Sequence, residues 1–546
     1  MLADLPAPLY YLHNFHKALA WIAARHDDLL DARERDFVHG FGTLEIPAQA
    51  LLVRMIMRKG THFRASKLNY EEIGCSHQAA QPLIQQGWVL DDVSLAQEQL
   101  LDLLRKDEIL TCFATRIEDR RARKDQLCLA LLQQPADARS FNQWCPLLDD
   151  RLYSLTIDAL CERLRLMFFG NLHQDWSEFV LADLGIFRYE QVDLPGDARA
   201  LRCRTDIDDY LHLQRCREAF EAEVCVEQVL EQIDTRRYHN PYIASRRAKL
   251  LFRIGQHLER SATLERALQV YASSGYPQAR QRQIRVLERS GQWQQAHDLA
   301  SQALAAPCSD SEAQLAARAL VRLSRQLGLP PQKRACPAAE SRIDLQLPQL
   351  GPWSVEQRVQ LHLHCDDAPV HYVENTLICS LFGLLCWPAI FAALPGAFFH
   401  PFQSGPADLL AADFHPRRAA LFSACLEQLD DGRYHESIRQ TYREKFGIQS
   451  PFVHWGVLDE GLLEQALACF PATHLKAWFL RLLGDIQANR AGMPDLIQFW
   501  PAEKRYRMIE VKGPGDRLQD NQRRWLAFCA EHGMPVDVCY VQWASA

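Results

Sequence analysis

No two of the 17 cysteines in this 546-residue chain are spaced as C-x-x-C. That argues against a zinc finger or ribbon. The odd count, scattered from Cys75 to Cys539, argues equally against a disulfide scaffold. The start, MLADLPAPLYYLHNFHKAL, lacks a basic stretch leading into a long apolar run, so no secretory signal is visible. Free thiols without a signal fit a reducing cytosol, and a cytoplasmic location is expected. There is no H-E-x-x-H and no Walker G-x-x-x-x-G-K. A basic excess is also missing: 61 Lys+Arg stand against 68 Asp+Glu, a net charge of −7. That balance neither announces nor excludes a nucleic-acid binder, because binding depends on local patches. The apolar and charged fractions, 48% and 24%, are those of an ordinary globular protein. At about 150 residues per domain the length suggests three or four domains.

One stretch carries no charge at all. Between Asn375 and Ala407 there is no Asp, Glu, Lys or Arg, and the run is long enough to cross a bilayer. Pro388 and Pro395 interrupt it, with Gly383 and Gly396 nearby, and charged sequence flanks it on both sides. A buried helix followed by a proline-broken segment is the expectation, with no membrane partner.

Residues 1–45 read as a helical, aromatic segment. Residues 46–134 read as a winged-helix/SAP-like DNA-binding region. There IPAQALLVRMIMRKG is an amphipathic helix with Arg54, Arg58 and Lys59 at its polar end. FRASKLNY, with Lys67, follows, then a second helix, then GWVLDD as a short strand or wing. LAQEQLLDLLRKDEIL and RRARKDQLCLALLQQ give two further helices. Between Arg105 and Lys124 lie seven basic and four acidic residues, Arg120, Arg121, Arg123 and Lys124 among them. The leucine spacing resembles the SAP helix-extension-helix module. Residues 135–225 read as helical, aromatic packing core.

Residues 226–326 read as helical hairpins. GQWQQAHDLASQALAAP resembles the second helix of a tetratricopeptide unit, with Gly291, Trp293, Ala296, Ala303 and Pro307 near their places. From Arg236 to Arg289 there are twelve basic and three acidic residues, a net of +9. This patch includes Arg246, Arg247, Lys249, Arg253, Arg280, Arg282 and Arg285. Helical repeats often bind peptides, but this charge points to phosphate. Residues 327–350, rich in proline, read as a linker into a last domain, 351–546.

The last 55 residues carry the chemistry. DLIQFW is a short apolar strand, PAEKR a polar turn, and YRMIEVKG a second strand. On that strand Met508, Glu510 and Lys512 share one face, with Ile509 and Val511 toward the core. RLQDNQRRWLAFCAEHG is an amphipathic helix stopped by Gly533, and VDVCYVQW a last buried strand. Fourteen residues separate Asp495 from Glu510, which lets both carboxylates reach one point. Two acids and a lysine form an Asp…Glu-x-Lys constellation suited to a hard cation, Mg²⁺ or Mn²⁺. The cation polarises a phosphodiester and activates water. The lysine stabilises developing negative charge. The Val511 carbonyl is a natural further ligand. Glu374, opening the uncharged helix, is a candidate third acid. A helix-dipole carboxylate is the alternative. A rival cluster, LHLHCDDAPVHYVEN, holds His362, His364, Asp366, Asp367 and His371. Read as a strand with His362 and His364 on one face, it suits a zinc hydrolase.

PDLIQFW…RYRMIEVKGPGDRLQDNQRRWL resembles the VRR-NUC domain of the PD-(D/E)xK nuclease superfamily. With LLVRMIMRKG…KLNYEEI, RRAKLLFRIG, the Glu374 helix and HWG at 454–456, residues 46–546 resemble the Fanconi-associated nuclease family in a bacterial form. The resemblance implies a multidomain, mostly α fold: a winged-helix/SAP-like front, a TPR-like middle and a C-terminal α/β nuclease domain with a mixed central sheet. It implies a structure-specific nuclease that cuts 5′-flap DNA, degrades 5′→3′ and serves interstrand crosslink repair near the nucleoid. Its partners would be flapped, branched or crosslinked duplex. By motif, Asp495, Glu510 and Glu374 would be metal acids, Lys512 the catalytic lysine, and Gln522 a supporting residue. Arg490 would face phosphate, with Arg517, Arg523 and Arg524 alongside. The RRAKLLFR surface would engage a 5′ phosphate or the backbone. Eukaryotic relatives begin with a ubiquitin-binding zinc finger, whereas residues 1–45 here hold no cysteine, so no such finger is expected. A non-enzymatic scaffold with a degenerate nuclease domain is the competing reading, although Asp495, Glu510 and Lys512 are all present.

Overall fold

The structure is a computed structural model that describes residues 9–134, 136–176, 187–330, 341–348 and 351–544. The chain forms two compact units, residues 1–187 with 201–207 and residues 188–200 with 208–546.

In the first unit, helix Ile46–Ile56 starts at a proline in its first turn and buries Ala48, Leu51, Leu52 and Met55. Strand β2 (Val89–Asp91) is the expected wing, while β1 (His62–Arg64) was not expected as a strand, and the two do not pair with each other. Between them runs β5 (Leu152–Leu155), antiparallel to both. The segment 135–225 is therefore not helical throughout. All four residues of β5 are buried, so no alternation betrays it as a strand. Two short strands, β3 (Ser94–Leu95) and β4 (Arg139–Ser140), pair alongside. The helix expected over 95–110 is two helices, Gln97–Leu103 and Lys106–Cys112. Glu108 caps the start of the second: its carboxylate accepts the Arg105 N–H at 2.7 Å and pairs with buried Arg64 at 2.6 Å. The next helix begins at Lys124, which leaves Arg120, Arg121 and Arg123 before it.

In the second unit, helices Val226–Asp234, Pro241–Arg260, Leu264–Ser274, Ala279–Arg289, Trp293–Ala305 and Asp310–Gln326 lie in chain order. From Pro241–Arg260 onward each packs on the next. The close approach of Pro241–Arg260 to Leu264–Ser274 depends on Gly255. A Cβ there would lie 2.6 Å from the Tyr271 ring. That ring is fully buried and its hydroxyl donates to Glu259 at 3.0 Å, so it cannot step aside. Gly255→Ala is expected to cost about 1–3 kcal/mol through overpacking, read as a lower thermal midpoint.

The C-terminal region is built on a five-stranded mixed sheet. Its strands are β6 (Arg342–Leu347), β7 (Val370–Tyr372), β8 (Leu496–Trp500), β9 (Arg505–Lys512) and β10 (Val536–Trp543), in the order β6-β10-β9-β8-β7. β6 and β9 run parallel to β10, and β8 runs antiparallel to β9 and β7. Strand β6 corrects the linker reading of 327–350, because its partner lies some 200 residues away. One sheet face buries Val370, Leu496, Ile509, Val511, Cys539 and Val541 against Val359 of helix Val355–Leu363. Helix Leu377–Leu385 is buried at all nine positions and ends before Pro388. No helix among the described residues is long and apolar enough to cross a membrane.

Candidate active site

Register puts the two acids together. Leu496 faces Ile509 in the β8–β9 hairpin, so Asp495, one residue earlier, comes opposite Glu510. The Val373 N–H bonds the Asp495 carbonyl at 2.9 Å, which ties β7 to the same point. Gly492 makes the turn into this strand at φ +93°, and a Cβ there would strike Asn521 at 2.8 Å. Asp495 Oδ2 accepts the Val511 N–H at 2.8 Å. Lys512 Nζ lies 2.6 Å from Glu510 Oε1, without the alignment of a hydrogen bond. Asp495, Glu510 and Lys512 are 8%, 1% and 7% exposed.

Burial pushes the Asp495 carboxyl up to about 6, opposed by the Val511 N–H and Lys512 and reinforced by Glu374 and Glu356. Burial, then the Asp495 charge, pushes Glu510 up to about 8 against the pull of Lys512. Two acids held in this way lack positive charge. Glu510 Oε1 is buried with no hydrogen-bond partner. The oxygen donors of this set fit a hard divalent cation. Among the described residues no three acids or histidines already close on one point, so the carboxylates converge without completing a cage.

Glu374 lies in the turn between β7 and helix Leu377–Leu385, three residues before the helix it was expected to open. It is exposed. The Tyr372 hydroxyl donates to its Oε2 at 2.5 Å, and Asn375 Nδ2 to its Oε1 at 3.2 Å. Asn375, at φ 55°, also accepts the Met493 N–H at 3.0 Å. This fastens the Glu374 turn to the one that precedes Asp495. Outer hydrogen bonds of this kind set ligand orientation and affinity. Tyr372→Phe is expected to weaken divalent-cation binding at this site by about 10–100-fold, with the fold unchanged. A metal titration of both proteins checks it.

Sequence reading missed Tyr372 and Glu356. Glu356 stands in the first turn of helix Val355–Leu363, whose start is marked by the Ser354–Gln357 capping box. That capping signal was readable. Its convergence on Asp495 was not, because only the fold supplies it.

The zinc-hydrolase geometry is absent. His362 lies in helix Val355–Leu363 and His364 caps it, so there is no strand to present both on one face. His364 Nδ1 accepts the Val370 N–H at 3.1 Å, and His371 Nε2 meets Gln465 at 2.8 Å.

The basic candidates divide into tied and available groups. Arg54 is tied: it pairs with Glu72 at 2.5 Å and lies over the Tyr11 and Tyr70 rings. Lys59, Lys67, Arg120, Arg121 and Arg123 are exposed and Lys124 is half-buried. Arg58 bonds the Lys67 carbonyl at 2.9 Å. In the repeats, Arg236, Arg247, Arg253, Arg266 and Arg280 pair with Asp209, Asp234, Glu221, Glu227 and Glu312. Those five acids lie outside 236–289, so the apparent +9 falls to +4. Arg246 lies over the Tyr210 ring at 4.2 Å, and Lys249 is exposed. Arg282 and Arg285 face Glu259 at 2.8 and 3.6 Å. The Arg490 guanidinium gives only one hydrogen bond among the described residues, to the Pro451 carbonyl at 3.4 Å. With Glu374, Asn375 and His454 it lines a cavity of about 160 Å³. Burial, aided by the Arg490 charge, holds the His454 imidazole below its usual range. Arg517 is exposed, Arg523 bonds the Leu518 carbonyl and Arg524 bonds Gln314 at 2.6 Å. Gln522 accepts the Gln519 N–H at 2.8 Å, capping helix Asp520–Glu531.

Residues 429–543 match the VRR-NUC domain, residues 9–90 the FAN1 HTH domain, and residues 94–144 the Fanconi anemia-associated nuclease SAP domain. Together with the paired acids and lysine, this makes the protein a DNA nuclease that works with a divalent cation. It is 55% identical over 540 residues to the Fanconi-associated nuclease 1 homolog of Pseudomonas aeruginosa, covering 99% of this chain and 97% of that one. The chain belongs to the Fanconi-associated nuclease 1 family. The Arabidopsis thaliana homolog is 25% identical over 616 residues, 99% of this chain and 68% of its own. The chain also resembles the crystal structure of paFAN1 bound to 2-nt 5′ flap DNA with a gap. There the TM-score is 0.93 at 55% identity, with 100% of both chains covered.

Proposed function

We propose that this chain is a structure-specific nuclease that incises 5′ flaps and degrades DNA 5′→3′. Its substrates are flapped, branched and crosslinked duplexes in interstrand crosslink repair, on the nucleoid of a bacterial cytoplasm. Mg²⁺ or Mn²⁺ is its cation. The observation that carries this reading is the buried Asp495–Glu510–Lys512 set in a chain so similar to a 5′-flap-bound relative.

Glu374, Asp495, Glu510 and the Val511 carbonyl would hold the cation. When bound, it supplies Lewis acidity to the scissile phosphate and a lowered pKa to water. The Val511 N–H fixes the Asp495 carboxylate. Lys512 offsets charge that builds on the phosphate. Gln522 steadies the helix that follows the lysine. Arg490 offers spare guanidinium donors to an adjoining phosphate. The exposed cations at 59, 67, 120, 121 and 123 would grip backbone, so a flap is chosen by shape rather than base sequence.

The test is incision of 5′-flap, 3′-flap, blunt and single-stranded DNA labelled at either end. Preferred cutting near the base of the 5′ flap, with 5′→3′ trimming, is expected. Equal cutting of both flaps would overturn the specificity. Charge reversal at Arg246, Lys249 and Arg253 is expected to weaken binding and flatten its dependence on salt. Anisotropy titrations at several salt concentrations check it, and an unchanged slope would count against that surface.

A further inference from the structure

Trp293 opens helix Trp293–Ala305, where the repeat pattern makes it a packing residue. Instead it is 37% exposed. It borders an open basin of about 360 Å³, with Arg285, Glu288, Arg289 and Arg322 on the walls. That volume lies within the roughly 300–1,000 Å³ of small-ligand pockets.

The charges around it do not balance. Arg282, Arg285 and Arg289 share one carboxylate, Glu259, which is itself buried. The Arg285 guanidinium stands 3.6 Å from it and makes no hydrogen bond among the described residues. Arg289 spends a single nitrogen on Glu259. Arg322 spends a single nitrogen on Glu288, at 3.1 Å. The cluster thus keeps a surplus of two positive charges and most of its guanidinium donors. Such donors beside an exposed indole call for a ligand with both an anion and a flat ring.

We propose that this basin binds an unpaired nucleotide of single-stranded DNA, its base on Trp293 and its phosphates on Arg285 and Arg322. The inference rests on the DNA-nuclease reading. Guanidinium forks match phosphate oxygens, and an indole face stacks any base. A duplex keeps its bases inside the stack and has none to offer, so the occupant is a displaced strand. An acidic peptide would engage the arginines but leave Trp293 without a role.

The experiment uses the full chain without divalent metal, a duplex with a 5′ flap carrying 2-aminopurine, and the same nicked duplex without a flap. Wild type and Trp293→Phe are expected to quench the 2-aminopurine; Trp293→Ala is not. Trp293→Ala is expected to bind flapped DNA about 5–100-fold more weakly, with flapless binding essentially unchanged. Arg285→Gln with Arg322→Gln is expected to weaken the flapped complex and reduce its salt dependence. Quenching that survives in Trp293→Ala, or equal losses on both duplexes, would overturn the proposal. So would a glutamate-rich peptide that binds through the arginines alone. A wild type that cuts no DNA with Mn²⁺ would fail the nuclease reading. A cutting enzyme whose flap binding ignores Trp293 would fail only the basin.

Discussion

Glu510→Gln is expected to lose DNA cleavage by on the order of 10³-fold or more, while DNA binding persists and the metal-free protein becomes more stable. The two effects share one cause. Glu510 is 1% exposed, its carboxyl is raised to about 8, and one of its oxygens has no hydrogen bond. A neutral amide of the same shape is buried without first having to take up a proton, which the raised carboxyl must do on folding. It also removes a carboxylate ligand. A destabilised group retained at a site is what a reaction requires rather than what the fold prefers. Cleavage rates with Mn²⁺ and metal-free melting of both proteins check this. A variant that melted lower and cut normally would refute it.

The second large effect is the dependence of stability on pH and metal. The folded Asp495 and Glu510 hold protons up to about 6 and about 8, above their ordinary values of 3.8 and 4.5. Between about pH 4 and pH 8 the folded state therefore binds more protons than the unfolded state. Stability is fully present below the unfolded values and is lost as pH rises through the folded ones. For Asp495 alone, a shift of about two units corresponds to about 3 kcal/mol. Metal-free protein should melt progressively lower from about pH 5 to about pH 8. Excess Mn²⁺ should flatten that slope, because a cation favours the ionised carboxylates and stabilises only the folded state. Melting curves across this range, with Mn²⁺ or EDTA, check it. A metal-free curve flat over the window would contradict the buried-acid account.

The hairpin that brings Asp495 to Glu510 was readable in the sequence because its signals are local. Alternation in YRMIEVKG sets Glu510 and Lys512 on one face, and the short turn after DLIQFW fixes the register that brings Asp495 to them. Elements with distant partners were not readable. Strand β5 completes a sheet begun some 60 to 90 residues earlier, and β6 joins β10 across about 200 residues. Glu356 and Tyr372 reach the site only through tertiary packing. The basic patch erred the other way. A window of sequence counts charges but not their partners, and Asp209, Glu221, Glu227, Asp234 and Glu312 reach it from outside. The His362–His364 strand was a helix, since alternate polar residues in a short run suit the exposed side of either.

The measurement that tests the central claim most directly compares wild type with Asp495→Ala on end-labelled 5′-flap DNA, with Mn²⁺, Mg²⁺ or EDTA. Metal-dependent incision by the wild type, abolished by EDTA and by Asp495→Ala with DNA binding intact, is the predicted result. Incision that persists in Asp495→Ala or in EDTA would contradict the site, and no incision by the wild type would favour a DNA-binding scaffold.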